Sequence, residues 1–258
     1  MRVLLAVVLS VCVFGAQLGV AQQRVISSLG RIEPAGGVIR LAGPSGLSSV
    51  LMELNVAEGD HVAVGDVIAM LNEYPVRQAD LRRLQAELDN ARKQLERERA
   101  LATRMASAAS KLETLELEVK AAAAAVSAAE AMLDLALVRA PIAGQILYVH
   151  TRPGERVGAE GIVELGQTDR MYAVAEVYET DIVHIKQGQR ATVRSPALEK
   201  PVSGTVESIG LKVGRMDVLG MDPVAEADAR VIEVDILLDD VSAVQALTNL
   251  QVEVEITP

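Results

Sequence analysis

The side chains best suited to acid–base or metal chemistry near neutral pH are three histidines, His61, His150 and His184. They stand far apart in three different predicted elements. None belongs to a His-Glu-x-x-His pair, which would set two imidazoles on one helix face. No Gly-x-Ser-x-Gly turn is present to lift a nucleophilic serine out of a strand-to-helix elbow. A Gly-x-x-x-x-Gly-Lys loop, whose amides would cradle phosphates, is absent too. The carboxylates alternate along predicted strands or line predicted helix surfaces, as solvated residues do. Cys12 is the one cysteine, and Leu9-Ser10-Val11-Cys12 is a poor lipobox because Val11 is bulky where a small residue is usual. These residues predict no catalytic, cofactor-binding or metal site, so the chain reads as a non-enzyme that works by shape and contact.

Composition narrows the kind of contact. Half of the 258 residues are apolar, enough for more than one core. There is no Trp and the one Phe, Phe14, lies in the N-terminal apolar run, so those cores must be aliphatic. A formal charge of −10 argues against nucleic acid as a partner, because a basic face is what phosphates require. Four tyrosines offer no platform for stacked bases. Residues 3–21 are apolar behind Arg2, with small Gly19 and Ala21 before Gln22. That is a secretory signal peptide cut after Ala21, or an N-terminal membrane anchor over the same residues 1–21.

The elements beyond it form a repeat split by an insert. One half runs through Leu54 and Val56 to Gly59, Val62 and Gly65. The other runs through Leu147 and Val149 to Gly154, Val157 and Gly161. Apolar residues at period two predict half-buried strands, and the glycines predict tight turns. Between the halves, Pro75 and Pro141 bracket a segment without Gly or Pro. Its first ladder is Leu81, Leu84, Leu88, Ala91 and Leu95, broken at Glu98 and resumed at Ala102 and Met105. Its second is Leu112, Leu115, Val119, Ala122, Val126, Ala129, Leu133 and Ala136. Alternating three- and four-residue steps put each ladder on one helix face. The small residues 106–110 predict the turn of an antiparallel hairpin, with helices of about 30 residues and roughly 45 Å.

Strands return after Met171. Alternation predicts strands at Ala173–Val177, at Ile232, Val234, Ile236 and Leu238, and at Leu250–Ile256, with a short helix at Asp181–Lys186 and loops over Gly210–Ala229. The predicted fold class is mixed α and β, elongated: a split β-sandwich, an inserted antiparallel coiled-coil hairpin, then a small antiparallel β-barrel.

The two halves resemble the lipoyl or biotinyl-carrier fold, but the hairpin that would present a carrier lysine is replaced, and the first lysine, Lys93, lies on a predicted helix. The whole order resembles the HlyD-like periplasmic adaptors, or membrane fusion proteins. The residues that carry this are Gly30-Arg31-Ile32-Glu33-Pro34, Arg139-Ala140-Pro141-Ile142-Ala143-Gly144, Leu165-Gly166-Gln167-Thr168-Asp169 and Tyr178-Glu179-Thr180-Asp181-Ile182. The last two strings resemble the DevB-like branch, adaptors of ABC exporters. This resemblance implies an N-terminal segment at 22–37, a lipoyl-like domain in two halves at 38–71 and 138–168, and a hairpin at 72–137. A β-barrel at 169–258 would follow, alone or with part of a membrane-proximal region. It implies a periplasmic protein at the inner membrane, assembled as a homo-oligomeric ring, often a hexamer. Its partners would be an inner-membrane ABC transporter permease and a TolC-type outer-membrane channel. A proton-driven RND-type pump is the alternative inner-membrane partner. Family hairpin tips carry an Arg, a Leu four on and a Ser seven further. Arg97 and Leu101 fit, whereas Ala108 stands at the Ser position with Ser107 and Ser110 nearby.

Overall fold

The computed structural model describes residues 25–44, 49–102, 109–216 and 230–257. Its strands are β1 (Ile26–Leu41), β2 (Leu51–Leu54), β3 (His61–Val62), β4 (Val67–Leu71), β5 (Leu137–Arg139) and β6 (Gly144–Val149). They continue with β7 (Val163–Tyr178), β8 (Arg190–Arg194), β9 (Val202–Arg215), β10 (Arg230–Leu238) and β11 (Gln251–Thr257). Two helices, α1 (Tyr74–Ala102) and α2 (Ala109–Asp134), separate β4 from β5. The expected signal or anchor at 1–21, and Ser107 and Ala108, lie outside the described residues.

Six strands pair in a closed cycle, each antiparallel to the next: β1, β11, β8, β9, β10, β7 and back to β1. Closure removes the free edges that would otherwise invite pairing with other chains. Alternate residues fill the inside, among them Ile32, Met171, Val193, Ile236 and Ile256, all buried. Tight strand crossing needs small residues: a Cβ on Gly30 would lie 2.4 Å from the Val174 carbonyl oxygen.

β1 and β7 are each 16 residues long and run on past this ring into a second lobe. There β7 pairs with β6, β6 with β3, and β2, β4 and β5 form a separate three-stranded sheet. Leu51, Ile68, Leu71, Ile146, Ile162 and Leu165 fill the space between as a core distinct from that of the ring. Of the residues expected as an N-terminal segment at 22–37, those from Ile26 onward form part of β1. From Ile26 onward they pair with β11 and β7, because their alternating Ile26, Ser28, Gly30 and Ile32 supply one wall of the ring.

The second lobe carries the sequence repeat as a pseudo-twofold exchange of hydrogen bonds. Gly59 N donates to Ile146 O at 2.8 Å, and Gly154 N to Leu51 O at 2.7 Å. Ile146 N donates to Asp60 O and Leu51 N to Glu155 O, both at 2.9 Å. Each turn is closed by its own acid: Ala57 N donates to Asp60 Oδ2 at 2.8 Å and Arg152 N to Glu155 Oε2 at 2.7 Å. Gly59 and Gly154 have φ of +91° and +92°, where a side chain is disfavoured. The frame equates Leu51 with Ile146 and Leu54 with Val149. The sequence alignment of Leu54 with Leu147 is thus two residues out of register, because period two cannot distinguish such shifts.

Three other local expectations are corrected. β9 continues through Gly210 to Arg215, paired with β10, where loops were expected from the Gly content. Val231 is buried in β10 while Ile232 is only half-buried, beside a register shift against β9. Ala109 and Ser110 belong to α2 rather than to a turn. Pro75 sits inside the first turn of α1, where its missing N–H costs nothing.

The helices leave the second lobe where Leu71 N donates to Ala136 O at 2.9 Å, so the chain returns to the point from which it left. Both heptad ladders turn inward. Leu88, Leu95, Val126 and Ala129 are buried and Leu81, Leu84, Leu115 and Val119 half-buried. At 29 residues, α1 extends about 43 Å from the lobe.

Candidate docking surfaces

The described ends of the two helices are joined by charge rather than by apolar packing. Glu98, which interrupts the α1 ladder, is 16% exposed and meets Lys111 Nζ at 2.8 Å. Arg99 meets Glu116 at 2.7 Å. A carboxylate can occupy the seam here because its lysine partner reaches across from the other helix. Arg97 is exposed on α1, with Nε donating to Lys93 O at 3.2 Å. Leu101, one turn further, is 56% exposed. Ser110 is exposed in the first turn of α2, and its carbonyl accepts the Thr114 hydroxyl at 3.0 Å. So Arg97, Leu101 and Ser110 all come to the far end of the helix pair.

The outer wall of the ring carries a second charged surface, which the linear pattern does not reveal. Arg31 meets Glu176 at 3.1 Å and Glu233 at 2.9 Å, and also bonds Glu33. Cross-strand register assembles this group: Glu176 lies opposite both Leu29 and Glu233. Burial works against the Arg31 charge, but hydrogen bonds to Glu233 and Glu33 outweigh it, so the guanidinium is held above its ordinary pKa. Beside it Glu33, Tyr172, Glu207 and Asp235 line a groove of about 510 Å³. Burial, then the hydrogen bond to Glu207, pushes the Tyr172 phenol up.

The histidines stay apart. His61 is exposed on β3, and His184 closes the 3-10 turn Ile182–His184. His150 Nε2 lies 3.1 Å from Glu164 and its ring packs edge-on against Tyr148. Among the described residues no cluster of three His, Cys, Asp or Glu side chains could hold a metal ion. No described helix is long and apolar enough to cross a membrane.

The ring, the two-layered lobe and the helix pair together match known structures over most of the chain. A MacA–MexA chimeric protein carrying the Pseudomonas aeruginosa MexA α-hairpin domain superposes with TM-score 0.74 at 19% identity, covering 91% of this chain and 79% of that one. The membrane fusion protein Spr0693 from Streptococcus pneumoniae superposes with TM-score 0.68 at 17% identity, covering 91% of this chain and 98% of that one. In sequence, the macrolide export protein MacA of Shigella flexneri is 28% identical over 176 residues, covering 56% of this chain and 47% of that protein. The chain is therefore similar in sequence to export proteins such as MacA, and it shares its fold with these two structures. No family model matches it. The chain spans about half the length of the curated proteins it matches, between 47% and 62% of the first of them.

Proposed function

We propose that the chain is a non-enzymatic periplasmic adaptor of an export assembly, associated with the inner membrane. In this reading the lobe of residues 38–71 and 138–168 is the lipoyl-like domain, 72–137 the coiled-coil hairpin, and the closed six-strand ring the β-barrel. The strand from Ile26 belongs to that barrel. The observation that carries the proposal is the rod itself. A pair of helices about 43 Å long springs from a two-layered β lobe and returns to it at Leu71 and Ala136. Such a rod buries too little to serve its own fold and is suited to span distance. Ring assembly, with a hexamer as the family number, would set several rods side by side as a tube. Arg97, Leu101, Ser107, Ala108 and Ser110 would then face a TolC-type outer-membrane channel.

The inner-membrane partner would be an ABC permease of the kind served by the DevB-like branch. The strings Gly166-Gln167-Thr168-Asp169 and Tyr178-Glu179-Thr180-Asp181-Ile182 support that branch. The chain has no nucleotide-binding motif of its own, so a partner must supply the energy. Affinity purification of the full chain from crosslinked membranes tests this. Recovery of a nucleotide-binding permease is expected, and recovery of a proton-driven pump instead would replace the ABC assignment. Deleting residues 106–110 should abolish export while the barrel still melts normally. Undiminished export would remove the tip-docking part.

A further inference from the structure

The end of α1 is packed the wrong way round for its chemistry. Glu98 is 16% exposed in the seam, whereas Leu101 is 56% exposed. Burial ordinarily favours a leucine over a carboxylate, so the fold here works against that preference. The two positions are close alternatives. At 3.6 residues per turn, residues 98 and 101 point only about 60° apart around the helix axis. Winding the end of α1 slightly tighter, as helix termini often do, would bring Leu101 to the seam and carry Glu98 out to water. Leu95, the last buried leucine of the α1 ladder, would keep its place.

Charge from α2 opposes that exchange. Lys111 Nζ lies 2.8 Å from Glu98, and the next residue of α1, Arg99, lies 2.7 Å from Glu116. The pairs cross the gap in opposite senses, acid to base and base to acid, and turning the end of α1 would break both. Among the described residues, the other charged side chains of these turns, Lys93, Glu96, Arg97, Glu113 and Glu118, are all exposed. Arg97 donates to its own helix at Lys93 O. A leucine at position 98 would continue the ladder and need no partner. The carboxylate instead makes the direction of this turn depend on the lysine that answers it, because a charge left alone in a seam is costly.

We propose that Glu98–Lys111 and Arg99–Glu116 are positioning pairs that hold the end of α1 in the winding that turns Leu101 outward, on the same side as Arg97. This deepens the tip-docking reading above, which sets Arg97 and Leu101 against a channel. It adds how the subunit keeps an apolar side chain in solvent at its far end, and it is judged without any channel present.

Hydroxyl-radical footprinting of the full chain, read by mass spectrometry, measures the exposure of Leu101 directly. Leu211 on β9, fully exposed and far from the rod, serves as the internal reference. Lys111→Ala with Glu116→Ala removes both partners and leaves α1 unaltered. Neither side chain is buried, so the double variant removes nothing from a core. Oxidation of Leu101 relative to Leu211 should fall several-fold, because Glu98 leaves the seam and Leu101 takes its place. Adding Glu98→Leu to the double variant should restore the parental oxidation, since a leucine then holds the seam without a partner. Unchanged or greater oxidation of Leu101 in the double variant overturns the proposal. So does a failure of Glu98→Leu to restore it. Export by the same chains judges the docking reading separately. Export that falls and returns with Leu101 exposure supports both. Export that stays undiminished while Leu101 turns inward removes Leu101 from docking and leaves the positioning pairs standing.

Discussion

The β ring and the helical rod solve the problem of burial in opposite ways. The ring closes six strands on themselves and packs Ile32, Met171, Val234, Ile236, Val254 and Ile256 out of solvent. The rod has one thin seam in which Leu88, Leu95, Val126 and Ala129 are the side chains under about a tenth exposed. Its remaining surface includes Leu101 and Leu117, both more than half exposed. The ring is complete within one chain. The rod leaves much of its apolar surface in solvent.

This contrast can be broken most severely in the ring. Gly30→Val would drive a side chain into the Val174 carbonyl, 2.4 Å from the new Cβ, and is expected to cost about 4 kcal/mol or prevent folding. Urea unfolding measures it, and a cost below about 1 kcal/mol would mean the ring is loose. In the rod, Leu88→Ala should cost about 2 kcal/mol, near the lower end for a buried leucine, since the seam is narrow. Hydrogen exchange should show faster exchange in α1 and α2 alone. Acceleration that spreads to β7 and β10 would join the two regions into one cooperative unit.

A smaller effect tests the pseudo-symmetry of the second lobe. Gly59→Ala and Gly154→Ala should each cost about 1 kcal/mol, because both have positive φ and open space at Cβ. Equal shifts in thermal melting are expected, and a threefold difference would show that the two turns are not equivalent. The smallest effect is at alkaline pH. The Tyr172 phenol is raised in the fold by burial and by Glu207. Its contribution is therefore present below the ordinary phenol value of about 10 and is lost as pH rises through the higher folded value. Phenolate absorbance should show one late-titrating tyrosine that Tyr172→Phe removes. A Tyr172→Phe chain with an unchanged titration curve would reject the assignment.

Element type was readable wherever a period was long and clean. The ladders from Leu81 to Leu95 and from Leu112 to Leu133 lie on the buried or half-buried sides of α1 and α2. Residues 251–256 alternate in the structure as they do in sequence, with Val252, Val254 and Ile256 buried. Of the candidate tip residues, Arg97, Leu101 and Ser110 are brought to one end of the rod, but sequence order alone had already placed them near one another. The Arg31, Glu33, Glu176 and Glu233 group was not legible, since its members come from three strands far apart in the chain.

By itself the sequence determined most local matters: the long helices, the cleanly alternating strands, the turns at Gly59 and Gly154, and the inner face of each helix. Those depend on spacing and on the backbone freedom of single residues. Tertiary structure alone decided that the strand from Ile26 belongs to the C-terminal ring, and that the repeat equates Leu51 with Ile146. It also decided that Glu98 lies in the seam of the rod while Leu101 faces solvent. Pairing, register and exposure are relations between distant segments, and a period in one segment does not specify which partner will cover it.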